Sequence, residues 1–111
     1  MAAPKNQCRF NVYVIALDKA VLQKRKFMKE NPNYINGKPC VYVGMTAKTP
    51  DERFQQHKAG YKSGKYVKQF GRYMRRKLFE RLNPLTYEEA QNIEKELAHK
   101  LKKKGYGVWW N

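Results

Sequence analysis

Two short apolar runs, RFNVYVIAL over residues 9–17 and CVYVG over residues 40–44, constrain the fold of this chain more than any other feature. Both are rich in β-branched and aromatic side chains, which pack well on a pleated surface. Asp18 breaks the first run, and Gly44 closes the second where a side chain would obstruct a ligand. They predict two buried strands. A chain of 111 residues has room for one core, so both strands must share one sheet.

The rest of the chain divides around them. KAVLQKRKFMKE, residues 19–30, reads as a basic helix with Val21, Leu22, Phe27 and Met28 as partial anchors, stopped by Asn31-Pro32-Asn33. Asn36-Gly37-Lys38-Pro39 reads as a turn. Thr49-Pro50-Asp51-Glu52 opens a second helix, with Thr49 as N-cap, proline at the first position and acids in the first turn; it ends near Gly60. A short helix near 64–70 is expected, then a less regular connection to Asn83-Pro84. Thr86 and Glu89 form a capping box for a last helix reaching about Lys104. Gly105 stops it, and Gly107-Val108-Trp109-Trp110 returns as a terminal strand with at least one tryptophan buried. The expected architecture is an α/β (α+β) sandwich: a small, three-stranded, mainly antiparallel sheet flanked by helices. Residues 9–111 form one domain, residues 1–8 a tail, and residues 19–38 a basic insertion between the first two strands.

On that last helix, Ala90, Ile93, Leu97 and Leu101 fall in one apolar stripe at about 100° per residue. Glu94 falls inside the edge of the stripe, whereas Glu88, Glu89 and Glu96 fall outside it. An ionised carboxylate on a core-facing stripe is costly unless a metal ion or an arginine pairs with it.

Charge narrows the partners. The chain carries 24 Lys and Arg against 9 Asp and Glu, a net +15, which favours a polyanion. No apolar stretch approaches a membrane span, so no membrane partner is expected. Cys8 and Cys40 match neither a disulfide framework nor a metal-type spacing. With no apolar leader core near the N-terminus, the expected location is intracellular, cytoplasmic or nucleoid-associated.

Between Lys58 and Arg81 the cations Lys58, Lys62, Lys65, Lys68, Arg72, Arg75 and Arg76 alternate with Tyr61, Tyr66, Phe70, Tyr73 and Phe79. Cations of this kind neutralise phosphates and aromatics stack exposed bases. With Lys48 these cations are the expected nucleic-acid contacts, and Lys24-Arg25-Lys26 is a second candidate. Most of the aromatics are expected to turn inward.

Val12-Tyr13 in the first strand, Tyr42-Val43-Gly44 in the second, Arg53 and His57 four apart on the next helix, and Glu94 on the last together resemble the GIY-YIG nuclease superfamily. The resemblance spans about residues 10 to 110. It departs from the family pattern in four places. Asn11-Val12 replaces Gly-Ile and Val43 replaces Ile; the segment between the tyrosine strands is longer; and Tyr106-Gly107 stands where many members carry an asparagine, with Asn111 the only one nearby.

The resemblance implies a metal-dependent endonuclease that hydrolyses DNA phosphodiesters. Tyr13, Tyr42, Arg53, His57 and Glu94 would be catalytic, Gly44 structural, and Glu94 the ligand of one Mg²⁺ (or Mn²⁺) ion. Mg²⁺ prefers oxygen ligands and keeps several waters. Arg53 would clamp non-bridging phosphate oxygens. Tyr42 or Tyr13, its pKa lowered by nearby cations, would act as general base. His57 would either receive the proton or orient a tyrosine. The chain has no separate DNA-targeting segment, so weak sequence specificity and recruitment by a protein partner are expected. Two alternatives stay open: a catalytically inactive module of the same fold that binds DNA or RNA, and an RNA- or ribosome-associated protein.

Overall fold

The computed structural model describes residues 8–110; most of the tail read over residues 1–8, and Asn111, lie outside the described residues. Strand β1, Asn11–Leu17, occupies the interior of the sheet, and every residue of Val12–Leu17 is buried. That is why its sequence is continuously apolar and does not alternate: both faces of the strand are covered by helices. Strand β2, Cys40–Thr46, pairs antiparallel with β1, placing Tyr13 opposite Gly44 and Ile15 opposite Tyr42.

A four-stranded mixed sheet results, where three strands were expected. The additional strand, β3 (Gly71–Met74), pairs antiparallel with the far side of β1. It falls in the stretch read as irregular because it is short and carries exposed Arg72 and Tyr73. An edge strand of this kind lacks an apolar run. The last strand, β4 (Gly107–Trp110), pairs parallel with β2 and gives the order β3-β1-β2-β4.

Helix α1 (Arg25–Glu30) is shorter than the basic helix read over 19–30. Lys24 is extended, and the preceding Lys19–Gln23 forms a 3₁₀ turn capped by the Asp18 carboxylate, which accepts from Ala20 N. Burying Val21 and Phe27 together requires this break, since both are fully enclosed. Helix α2 (Pro50–Ala59) starts on Thr49, whose hydroxyl and Glu52 form a capping box, and stops on Gly60 in the left-handed conformation (φ 88°). Helix α3 is a single turn, Val67–Phe70, and a 3₁₀ turn spans Arg76–Leu78. Helix α4 (Tyr87–Lys103) has the expected Thr86/Glu89 box and buries Ala90, Glu94, Leu97, Ala98 and Leu101.

The helices lie on both faces of the sheet. Phe27 of α1 stacks on Trp109, and His57 of α2 meets Tyr13 and Tyr42, so α1 and α2 cover the tyrosine face. His99 of α4 meets Trp110, the neighbour of Trp109 that points the other way along β4. Neither tryptophan is fully buried, contrary to expectation, because β4 is an edge strand and each indole is covered on one side. No helix among the described residues is long and apolar enough to cross a membrane.

Candidate active site

Tyr13, Tyr42 and His57 meet beneath α2. The cross-strand register places Tyr13 beside Gly44, where a Cβ would lie 2.5 Å from the Tyr13 hydroxyl and 2.9 Å from the Tyr42 ring. The absence of that Cβ lets both phenols occupy one layer, with ring centroids 6.1 Å apart. His57 approaches from α2, with centroids 6.0 Å from Tyr13 and 5.4 Å from Tyr42.

The hydrogen bonds settle the imidazole tautomer. Gly64 N donates to His57 Nδ1 at 3.0 Å, so Nδ1 is an acceptor. In the neutral ring the proton then sits on Nε2, which donates to the Tyr13 hydroxyl oxygen at 2.9 Å. Burial, reinforced by Arg53, lowers the His57 pKa to about 4, so the neutral form prevails at neutral pH. The same burial raises the Tyr13 pKa, helped by Tyr42, and outweighs the lowering by Arg53. The expected depression by nearby cations therefore does not hold for Tyr13. One guanidinium does not compensate for the loss of water around a phenolate.

Gly64 is the site residue that sequence reading missed. Besides its bond to His57, it leaves room for Tyr42, since a Cβ there would fall 2.7 Å from the hydroxyl. Ser63-Gly64 at the end of a lysine-rich turn was the available signal. Gly64 lies in the segment 60–66 and is the residue of it that packs against Tyr42. Tyr13 and Tyr42 are 1% exposed and His57 is 0% exposed.

Arg53 holds this segment down. Its Nη1 donates to Tyr61 O at 3.1 Å and to Gln56 Oε1 at 3.2 Å, and its Nη2 donates to Lys62 O at 2.6 Å. Three of its five donors are thereby engaged within the chain. Arg53 remains close enough for its charge to act on both Tyr13 and His57.

Glu94 enters from α4. It is 7% exposed, and among the described residues no side chain or backbone group donates to it or pairs with it. Burial alone raises its pKa to about 7, and its charge acts on Tyr13. No cluster of three or more His, Cys, Asp or Glu that could hold a metal is present among the described residues. A divalent ion here would have Glu94 as its one protein carboxylate. An unpartnered carboxylate at the edge of the core suits such an ion, provided water and phosphate oxygens complete its shell.

The basic residues separate into two groups. Lys58 Nζ donates to Gly71 O at 2.8 Å and to Lys68 O at 3.2 Å, tying α2 to α3. Arg72 pairs with Asp18, and Arg76 pairs with Asp51. Lys68 lies along Gly60, and Arg75 is half-buried. Lys48, Lys62 and Lys65 are exposed, Lys62 over the Tyr61 ring and Lys65 over Tyr66 and Trp109. Phe70 and Phe79 turn inward as expected, while Tyr61 and Tyr73 do not. Comparison with family models, with curated proteins and with solved structures returns no significant match.

Proposed function

We propose that this chain is a metal-dependent endonuclease of the GIY-YIG type that hydrolyses DNA phosphodiesters with little intrinsic sequence specificity. One observation carries the proposal: two strand tyrosines, a histidine bonded through both nitrogens, and Glu94, a mostly buried residue with no protein partner among the described residues, whose charge reaches Tyr13. A purely structural core has little use for that carboxylate, because an apolar residue would fill the place without a desolvation cost.

In this reading each residue has one task. Neutral His57 donates to the Tyr13 oxygen and fixes the phenol, so it orients and does not collect the proton. Tyr13 keeps its own proton and presents it as a hydrogen-bond donor. Tyr42 is left as the general base. Arg53 clamps non-bridging oxygens with its planar fork once it leaves the Tyr61 and Lys62 carbonyls. Glu94 would hold a Mg²⁺ or Mn²⁺ ion, which supplies charge neutralisation at the phosphate and at the leaving oxygen.

The enclosure of both phenols, with Gly64 against the Tyr42 hydroxyl, requires Gly64 to give way before cleavage. It also favours a second reading, a nucleic-acid-binding module of the same fold that does not cut DNA or RNA, in which Arg53 and His57 serve only to hold the segment.

Nicking of supercoiled plasmid and of branched oligonucleotides, with Mg²⁺ or EDTA, separates the two. The wild-type chain should nick only with Mg²⁺. Glu94→Ala and Arg53→Ala should each lose on the order of a hundredfold or more in rate. Binding without any nicking selects the inactive module. Undiminished cutting by both variants would show that these residues are not the site.

A further inference from the structure

A second feature lies on the sheet face covered by α1. Trp109 of β4 stacks on Phe27 (centroids 6.4 Å, 25° between planes) and meets Tyr66 edge-on at 5.0 Å. Lys65 Nζ stands 5.5 Å from the Tyr66 centroid and 5.8 Å from that of Trp109. Lys26 of α1 lies near enough for its charge to act on Lys65, so a second ammonium group stands beside the aromatic shelf. Neither has a carboxylate partner among the described residues, where the ion pairs are Arg72–Asp18 and Arg76–Asp51. Lys24, over Phe70 at 5.8 Å, adds a third cation beside them.

Two adjacent like charges repel, and the arrangement is relieved when an anion bridges them. Tyr66 adds a second sign. It is a non-glycine residue at φ 73°, so the backbone accepts an unfavourable conformation to place its ring against Trp109. Tyr66 and Trp109 are both half-buried, which leaves part of each ring uncovered.

We propose that the shelf of Tyr66, Trp109, Lys65 and Lys26 is a docking surface for single-stranded nucleic acid, on the same sheet face as the tyrosine–histidine cluster but sharing no residue with it. A phosphate bridges Lys26 and Lys65, and the base beside it stacks on the ring that Lys65 uncovers as it lifts. Duplex ends offer no unpaired base to this surface, and an acidic peptide offers charge without a planar ring. The proposal does not depend on cleavage.

Trp109 reports on it directly. The chain has two tryptophans, so a Trp110→Phe variant leaves Trp109 as the single indole emitter. In EDTA, which prevents metal-dependent cutting, oligo(dT) should quench that emission and bind on the order of tenfold more tightly than blunt duplex of equal length, inorganic polyphosphate or poly-glutamate. Lys26→Glu and Lys65→Glu, both at exposed positions, should each weaken oligo(dT) by roughly tenfold, measured by anisotropy of labelled oligo(dT) in the otherwise wild-type chain. Equal binding of polyphosphate and oligo(dT) with unmoved emission would overturn the stacking surface in favour of plain charge attraction. Tighter binding of poly-glutamate would make the partner an acidic protein. Unchanged affinity in both lysine variants would place the strand elsewhere. Nicking that persists without quenching would count against the shelf alone and leave the nuclease reading intact.

Discussion

His57 and Glu94 are both titratable groups buried on helices that begin with the same Thr–Glu capping box, yet they are treated oppositely. His57 has a partner on each nitrogen, one from a backbone amide and one from a phenol. Glu94 has none among the described residues. Burial lowers the histidine pKa to about 4 and raises the glutamate pKa to about 7. The difference separates a polar residue that completes the core from one whose binding capacity is unspent.

Replacing His57 should have the largest effect on folding. His57→Ala leaves the Gly64 amide without its acceptor, takes the Nε2 bond from the Tyr13 hydroxyl and opens a hole among packed rings, for a loss of about 3 kcal/mol by chemical denaturation. A variant as stable as wild type would mean the imidazole is not the keystone between α2 and the 60–66 segment.

A smaller loss is expected from Gly64→Ala. Its Cβ would sit 2.7 Å from the Tyr42 hydroxyl and 2.9 Å from the ring carbon bearing it, which the rigid phenol can relieve only by shifting. About 1 to 3 kcal/mol should be lost, together with a perturbed tyrosine signal in near-ultraviolet circular dichroism.

The pH profile gives the finest test. A histidine with a lowered folded pKa binds fewer protons when folded, so stability is lost as pH falls from its unfolded value near 6.5 towards 4. A glutamate with a raised folded pKa binds more protons when folded, so stability is lost as pH rises from its unfolded value near 4.5 towards 7. The two slopes oppose each other between about pH 4.5 and 6.5. Glu94→Gln removes one of them. This variant should melt higher than wild type at pH 8, and the gap should close below about pH 4.5. Mg²⁺ should raise the wild-type melting temperature at pH 8 and leave Glu94→Gln unmoved. A gap independent of pH would mean that Glu94 is already paired.

Much of this was legible in the chain. The two apolar runs gave β1 and β2. The Thr49 and Thr86 starts gave α2 and α4, and the 100° periodicity singled out Glu94 as the glutamate buried on its helix. The features that escaped depend on contacts between distant residues. Strand β3 is four residues paired to one side of β1 and has no pattern of its own. The ties from Arg53 to Tyr61 and Lys62 run through backbone carbonyls, which side-chain identity does not advertise. Gly64 matters through what its missing Cβ would strike. The break at Lys24 follows from Val21 and Phe27 having to reach the core from one short segment.

Two asparagines occupy open stretches of the sheet edge. Asn31 donates to Val108 O at 3.0 Å and accepts from Val108 N at 2.8 Å, so its amide takes the place a neighbouring strand would take along β4. Asn83 does the same for Val12, through 2.8 Å bonds to both its N and its O, just beyond the reach of β3. Each plugs a stretch of sheet edge that would otherwise recruit a strand from another copy of the chain.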